Sequence, residues 1–140
     1  MNQSINLAIL GLGTVGTGIV NLLKDDAKEL SRRSGYDINI THVGTRRHRN
    51  DIDQNIKQSD DLFAIAQADN VDIVIEVIGG TDIAKDVIIH AIKHKKHVVT
   101  ANKALLAKHG NEIFALADEY GVQVRYEAAV AGGIPIIKII

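Results

Sequence analysis

Ile5-Asn6-Leu7-Ala8-Ile9-Leu10 is a short apolar run closed by Gly11, long enough for a buried strand and too short for a helix. From Val15 the period changes. Ile19, Val20, Leu22, Leu23, Ala27 and Leu30 share one helical face, and Ser34-Gly35 supplies a stop. Ile38, Ile40 and Val43 predict a second strand ending at Gly44, whereas Thr45 to Ser59 has no clear period and reads as loop or weak structure. Ser59-Asp60-Asp61 before Leu62, Phe63, Ile65 and Ala66 predicts a short helix with a Ser cap and early carboxylates at its positive end. Val71 to Ile78 is β-branched almost throughout and stops at Gly79-Gly80, the strongest strand signal in the chain. Thr81 or Asp82 then caps a helix with Ile83, Val87, Ile88, Ala91 and Ile92 on its apolar face. His97 to Thr100 is a short strand, Ala104 to Tyr120 is helical despite Gly110, and Val122 to Glu127 is a last strand.

Strands and helices that alternate with short connections imply right-handed crossovers and a parallel sheet covered on both faces. The expected class is therefore α/β, a doubly wound parallel sheet. Composition agrees: 46% hydrophobic and 24% charged residues are ordinary for a folded soluble domain, and 140 residues make about one. Aromatics are only 4%, so Ile, Val, Leu and Ala must build the core, as buried parallel strands require. A net charge of -1 provides no general field for a polyanion, so nucleic acid is not an expected partner. The absence of cysteine removes disulfides, thiolate metal cages and thiol nucleophiles, which fits a reducing cytoplasm. No apolar segment approaches the roughly 20 residues that cross a bilayer, so no membrane partner is expected.

Gly11-Leu12-Gly13-Thr14-Val15-Gly16 fits G-x-G-x-x-G between a predicted strand and a predicted helix. In a Rossmann-type dinucleotide-binding domain the first glycine permits the turn, the second lets a pyrophosphate approach the backbone, and the third lets the helix pack on the strand. The helix N-terminus then offers N–H donors and partial positive charge to the phosphates. The plainer alternative is a glycine turn that only joins strand to helix. At the end of the second strand an NAD site usually carries an Asp or Glu, but here stand Gly44-Thr45-Arg46-Arg47-His48-Arg49. An arginine fork suits a 2'-phosphate, so Arg46 and Arg47 favour NADP over NAD, with a solvated basic loop as the alternative.

Ile78-Gly79-Gly80-Thr81-Asp82 and Thr100-Ala101-Asn102-Lys103 should reach the same sheet edge as the glycine loop, where ligands bind in open α/β sheets. Lys103 is the candidate catalytic residue. Its ammonium would stand beside a nicotinamide and a substrate hydroxyl or carbonyl, and a cation at a helix start is otherwise unfavourable. Glu76 interrupts an apolar strand and must face an end or edge of the sheet or be held by a partner. His90 and His94 have metal-like spacing, but with Lys93, Lys95, Lys96 and His97 beside them they read more simply as the cationic end of a helix. Neither G-x-S-x-G nor G-x-x-x-x-G-K-[ST] is present, so serine hydrolase and P-loop readings lose their main support.

The glycine loop, Ile75-Glu76-Val77-Ile78-Gly79-Gly80, Thr100 to Ala107 and Tyr126-Glu127-Ala128-Ala129-Val130-Ala131-Gly132-Gly133-Ile134-Pro135, in this order, closely resemble homoserine dehydrogenase. The last two segments are the specific ones. The resemblance implies hydride transfer between L-homoserine and L-aspartate 4-semialdehyde with a nicotinamide cofactor, on the route to threonine and methionine. It also implies that Leu12, Gly13, Thr14 and Val15 contact the cofactor, that Arg46 holds the 2'-phosphate, and that Lys103 lies near cofactor and substrate. Glu127, Val130, Gly132 and Ile134 match the family's ligand pattern for a monovalent cation, usually sodium. Residues 1–127 are then a dinucleotide-binding domain, and 128–140 a hinge and the start of a truncated substrate and dimerisation domain. The family's substrate carboxylates and second lysine are expected beyond residue 140, so this chain should bind cofactor with little turnover, and the intact protein should be a homodimer. Two alternatives are a stand-alone nucleotide-sensing module and another two-domain dehydrogenase.

Overall fold

The computed structural model describes residues 3–126. Six parallel strands form one sheet: β1 (Gln3–Leu10), β2 (Tyr36–Gly44), β3 (Lys57–Ser59), β4 (Ile73–Glu76), β5 (His97–Thr100) and β6 (Val124–Tyr126). Their order across the sheet is β3-β2-β1-β4-β5-β6, so the winding direction reverses between β1 and β4. That order is the doubly wound arrangement of dinucleotide-binding folds, whose ligands sit at the reversal.

Alternation along the strands divides the core in two. Leu7, Ile9, Ile73, Ile75 and Val99 face one way, against Ile19, Val20 and Leu23 of α1 (Thr14–Asp25) and Leu30 of α2 (Ala27–Ser34). Ala8, Leu10, Val74, Val98 and Val124 face the other way, against α3 (Leu62–Ala66), α4 (Asp82–Lys93) and α5 (Lys103–Tyr120). No described helix is long and apolar enough to cross a membrane.

Several local expectations need correction. The predicted helix from Val15 to Leu30 is two helices: the Asp26 N–H still bonds the Leu22 carbonyl, but its backbone (φ -103°, ψ 16°) leaves the helical range and redirects the chain. The stretch from Thr45 to Ser59 contains a sixth strand, β3, which pairs with β2 from His42↔Lys57 to Gly44↔Ser59. The cap of α3 is Asp61, whose carboxylate accepts from the Ala64 N–H at 3.0 Å, while Ser59 Oγ accepts from the N–H of Asp61 itself. On α4, Ile83 is half exposed and the neighbouring Ala84 is buried in its place.

Candidate functional site

Four connections that bear predicted site residues leave the carboxyl edge of the sheet. Gly11 turns out of β1 with φ +107°, and a Cβ there would lie 2.8 Å from the Val77 carbonyl oxygen. Its N–H donates to the Gly44 carbonyl at 2.9 Å, which ties the glycine loop to the end of β2. A Cβ on Gly16 would fall inside the Gly11 carbonyl, so the third glycine is what lets α1 lie against the turn. Gly13 differs from both. A Cβ there would meet nothing within 4 Å, so no contact inside the protein explains a glycine, while close approach of a ligand to the backbone would.

Gly13 is the N-cap of α1 and supplies no side-chain cap, and the first turn, Leu12 to Val15 included, contains no acidic residue. The Gly13 N–H has no hydrogen-bond partner among the described residues. A twelve-residue helix thus presents uncapped donors and the positive end of its dipole to the edge of the sheet.

Beyond β2, a recess of about 300 Å³ is lined by Thr45, Arg46, His48, Gln58, Ser59 and Asp60. Arg46 and Arg47 are exposed and have no ion pair among the described residues, although only Arg46 lines the recess. The Arg47 carbonyl accepts from Thr45 Oγ1 at 2.9 Å. Arg49, which sequence reasoning did not single out, turns inward. Its Nη1 donates to the Leu12 carbonyl at 3.0 Å, and Nε and Nη2 hold both oxygens of Asp51 at 2.9 and 2.8 Å. Each partner favours the ionised state of the other, so the Arg49 pKa is raised and that of Asp51 lowered, chiefly by this hydrogen bonding. Only spatial proximity reveals the Leu12 contact, because 37 residues separate donor and acceptor.

Across the reversal, Glu76 is fully buried at the end of β4 and held by two donors. Thr100 Oγ1 donates to its Oε1 at 2.6 Å, and the Ile78 N–H donates to Oε2 at 2.9 Å. Partners rather than an open edge account for this carboxylate in an apolar strand. Thr100 Oγ1 also accepts from the Asn102 N–H at 3.0 Å. Asn102 caps α5 by accepting from the Leu105 N–H at 3.0 Å, and its Nδ2 donates to the Gly80 carbonyl. Gly79 and Gly80, at φ 86° and 73°, form the turn that receives this bond. The network fixes the backbone of both connections and leaves Lys103 exposed at the first position of α5, without a partner among the described residues.

The His90 and His94 rings lie with centroids 4.4 Å apart, tilted by 40°, at the far end of α4, and no group of three metal-ligating side chains occurs among the described residues. Glu127, Val130, Gly132 and Ile134 lie outside the described residues.

Comparison with known proteins covers nearly the whole chain. The family model of the homoserine dehydrogenase NAD binding domain matches residues 11–127. The homoserine dehydrogenase of Pseudomonas aeruginosa is 48% identical over 99% of this chain, which spans 32% of that protein. The crystal structure of the Thiobacillus denitrificans homoserine dehydrogenase aligns with a TM-score of 0.85 at 40% identity, over 91% of this chain and 30% of that one. A hyperthermophilic archaeal homoserine dehydrogenase in complex with NADPH shares the fold, with a TM-score of 0.71 at 19% identity over 89% of this chain and 44% of its own. The chain thus spans about a third of the length of the curated relatives it matches. The stand-alone sensing alternative is not favoured: the glycine loop, the buried Glu76 and the Asn102-Lys103 turn all fall within the family match, and the chain belongs to the homoserine dehydrogenase family, of which it carries the NAD-binding domain.

Proposed function

We propose that this chain is the NADP-preferring cofactor-binding part of an enzyme that interconverts L-homoserine and L-aspartate 4-semialdehyde. One observation carries the cofactor reading: α1 starts uncapped at a glycine that faces open space, beside a recess lined by Arg46. Gly11, Leu12, Gly13, Thr14, Val15 and Gly16 form the pyrophosphate cradle, and Arg46, with Arg47 next to it, takes the 2'-phosphate. Gly79 and Gly80 shape the far wall of the crevice, whereas Thr100, expected from the sequence to touch the cofactor, is fully buried and acts behind that wall by holding Glu76 and the Asn102 N–H. A nicotinamide bound there supplies the hydride acceptor or donor. Lys103 holds three N–H donors at Nζ toward the substrate oxygen, where they stabilise developing negative charge.

The family resemblance supports the rest of the reading. Residues 1–127 form the cofactor domain, and 128–140 lead into a substrate and dimerisation domain. Glu127 and the carbonyls of Val130, Gly132 and Ile134 bind sodium or a similar cation, and the complete enzyme is a cytoplasmic homodimer acting on a small-molecule substrate.

Calorimetric titration with NADPH and NADH, repeated on Arg46→Ala, tests the cofactor assignment. The native chain should bind NADPH more tightly, and the variant should lose about tenfold or more of that affinity while NADH is little changed. Equal binding of both nucleotides by the native chain would remove the NADP preference, and binding of neither would remove the cofactor reading.

A further inference from the structure

The three arginines that follow β2 divide into two kinds. Arg46 and Arg47 are exposed and without ion pairs among the described residues, whereas Arg49 commits four of the five guanidinium N–H groups within the protein. Two of the four hold Asp51, and the others reach the Leu12 carbonyl at 3.0 Å and Thr17 Oγ1 at 3.4 Å. Thr17 Oγ1 itself donates to the Leu12 carbonyl at 3.3 Å, so that one oxygen is gripped from two elements. The backbone of Arg49 is fixed as well. Gln58 of β3 accepts from its N–H at 2.7 Å and donates to its carbonyl at 2.8 Å.

Leu12 and Gly13 share a trans peptide, in which C=O and N–H point in opposite directions. Fixing the Leu12 oxygen toward Arg49 therefore turns the Gly13 N–H away from it. That N–H has no partner among the described residues. We infer that Arg49 is a positioning residue: buttressed by Asp51 and Gln58, it locks the Leu12–Gly13 peptide so that the Gly13 amide is already aimed at the pyrophosphate before the nucleotide arrives. The inference rests on the cofactor reading above and adds a division of labour to it. Arg46 selects the nucleotide, and Arg49 prepares the loop for either one. With its guanidinium committed in this way and neutralised by Asp51, Arg49 has little left for a phosphate.

The test compares the native chain with Arg49→Met, Arg49→Lys and Arg46→Ala by calorimetric titration with NADPH and NADH, and by amide hydrogen exchange without nucleotide. Arg49→Met should weaken both nucleotides by the same factor, about three- to tenfold, so that the NADPH-to-NADH ratio stays where it was. Exchange at Gly11 and Thr17, whose N–H groups bond the Gly44 and Gly13 carbonyls at 2.9 Å, should accelerate while Val74 and Ile75 of β4 keep their protection, which reports an intact fold. Arg49→Lys keeps the charge without the planar fork and should not restore full affinity. A shift of the ratio like that in Arg46→Ala would make Arg49 a direct phosphate ligand and overturn the inference. Unchanged affinity in Arg49→Met, or full affinity in Arg49→Lys, would overturn it too. If the native chain bound neither nucleotide, the cofactor reading would fall and the purpose assigned to Arg49 with it, while hydrogen exchange would still show whether Arg49 holds the loop.

Discussion

Helices α1 and α5 both begin where a strand leaves the carboxyl edge of the sheet, on opposite sides of the winding reversal, but their N-termini are built in opposite ways. At α5 the Asn102 side-chain Oδ1 accepts from the Leu105 N–H, its Nδ2 reaches the Gly80 carbonyl, and Thr100 holds both the Asn102 N–H and the buried Glu76. At α1 Gly13 offers no cap at all. The closed terminus is a rigid mount for the side chain that follows it, Lys103, and the open one is itself the binding surface. Two helix starts at one edge thus divide positioning from recognition.

The sharpest way to break this contrast is to add one methyl group to each of two glycines of the same loop. Gly16→Ala should destabilise the chain by about 3 kcal/mol, because the new Cβ meets the Gly11 carbonyl and backbone cannot yield as a flexible side chain can. Gly13→Ala should cost within about 1 kcal/mol of stability, since its Cβ enters open space, yet it should lose most nucleotide affinity. Urea denaturation alongside calorimetric titration separates the two. A Gly13→Ala chain that bound NADPH normally would show that the open terminus is not the binding surface.

On the closed side, Thr100→Val keeps the shape but leaves Glu76 Oε1 without its donor in a fully buried site. Denaturation should show a loss of about 1 to 3 kcal/mol, larger than an exposed Thr→Val change would give. Asn102→Ala removes the cap of α5 together with the solvent-exposed bond to the Gly80 carbonyl and should cost about 1 kcal/mol, with nucleotide affinity falling less than in Gly13→Ala. If Asn102→Ala proved the more damaging to binding, the division between mount and binding surface would be wrong.

The parts of this architecture that were legible in the residue pattern are those buried on both faces. Ile5 to Leu10, Val71 to Ile78 and His97 to Thr100 read as strands because parallel strands between helices need largely apolar runs, although the second of them is strand only over Ile73–Glu76. Strand β3 was not legible, since Lys57-Gln58-Ser59 is a three-residue edge strand held by its backbone ladder with β2 and carries no apolar side chain. The break at Asp26 escaped for a related reason: the apolar face continues through it to Leu30, and neither glycine nor proline marks the bend. At the site, the glycine spacing pointed to the turn, but the difference between Gly13 and Gly16 is visible only from what surrounds each. The structure also places Arg46 on the recess and Arg47 off it, and it adds Arg49, whose direction no local pattern encodes.

The bare start of α1 has a thermodynamic consequence. On the cofactor reading, the groups that would cap this helix arrive with the ligand, so binding and folding are linked through mass action. A nucleotide present at a hundred times its dissociation constant adds about 2.7 kcal/mol to the free energy of unfolding, a sizeable share of what a domain of this size typically has in total. The melting temperature of this chain is then a gauge of the dinucleotide concentration around it, and depletion of that pool would leave more of the population unfolded and open to proteolysis.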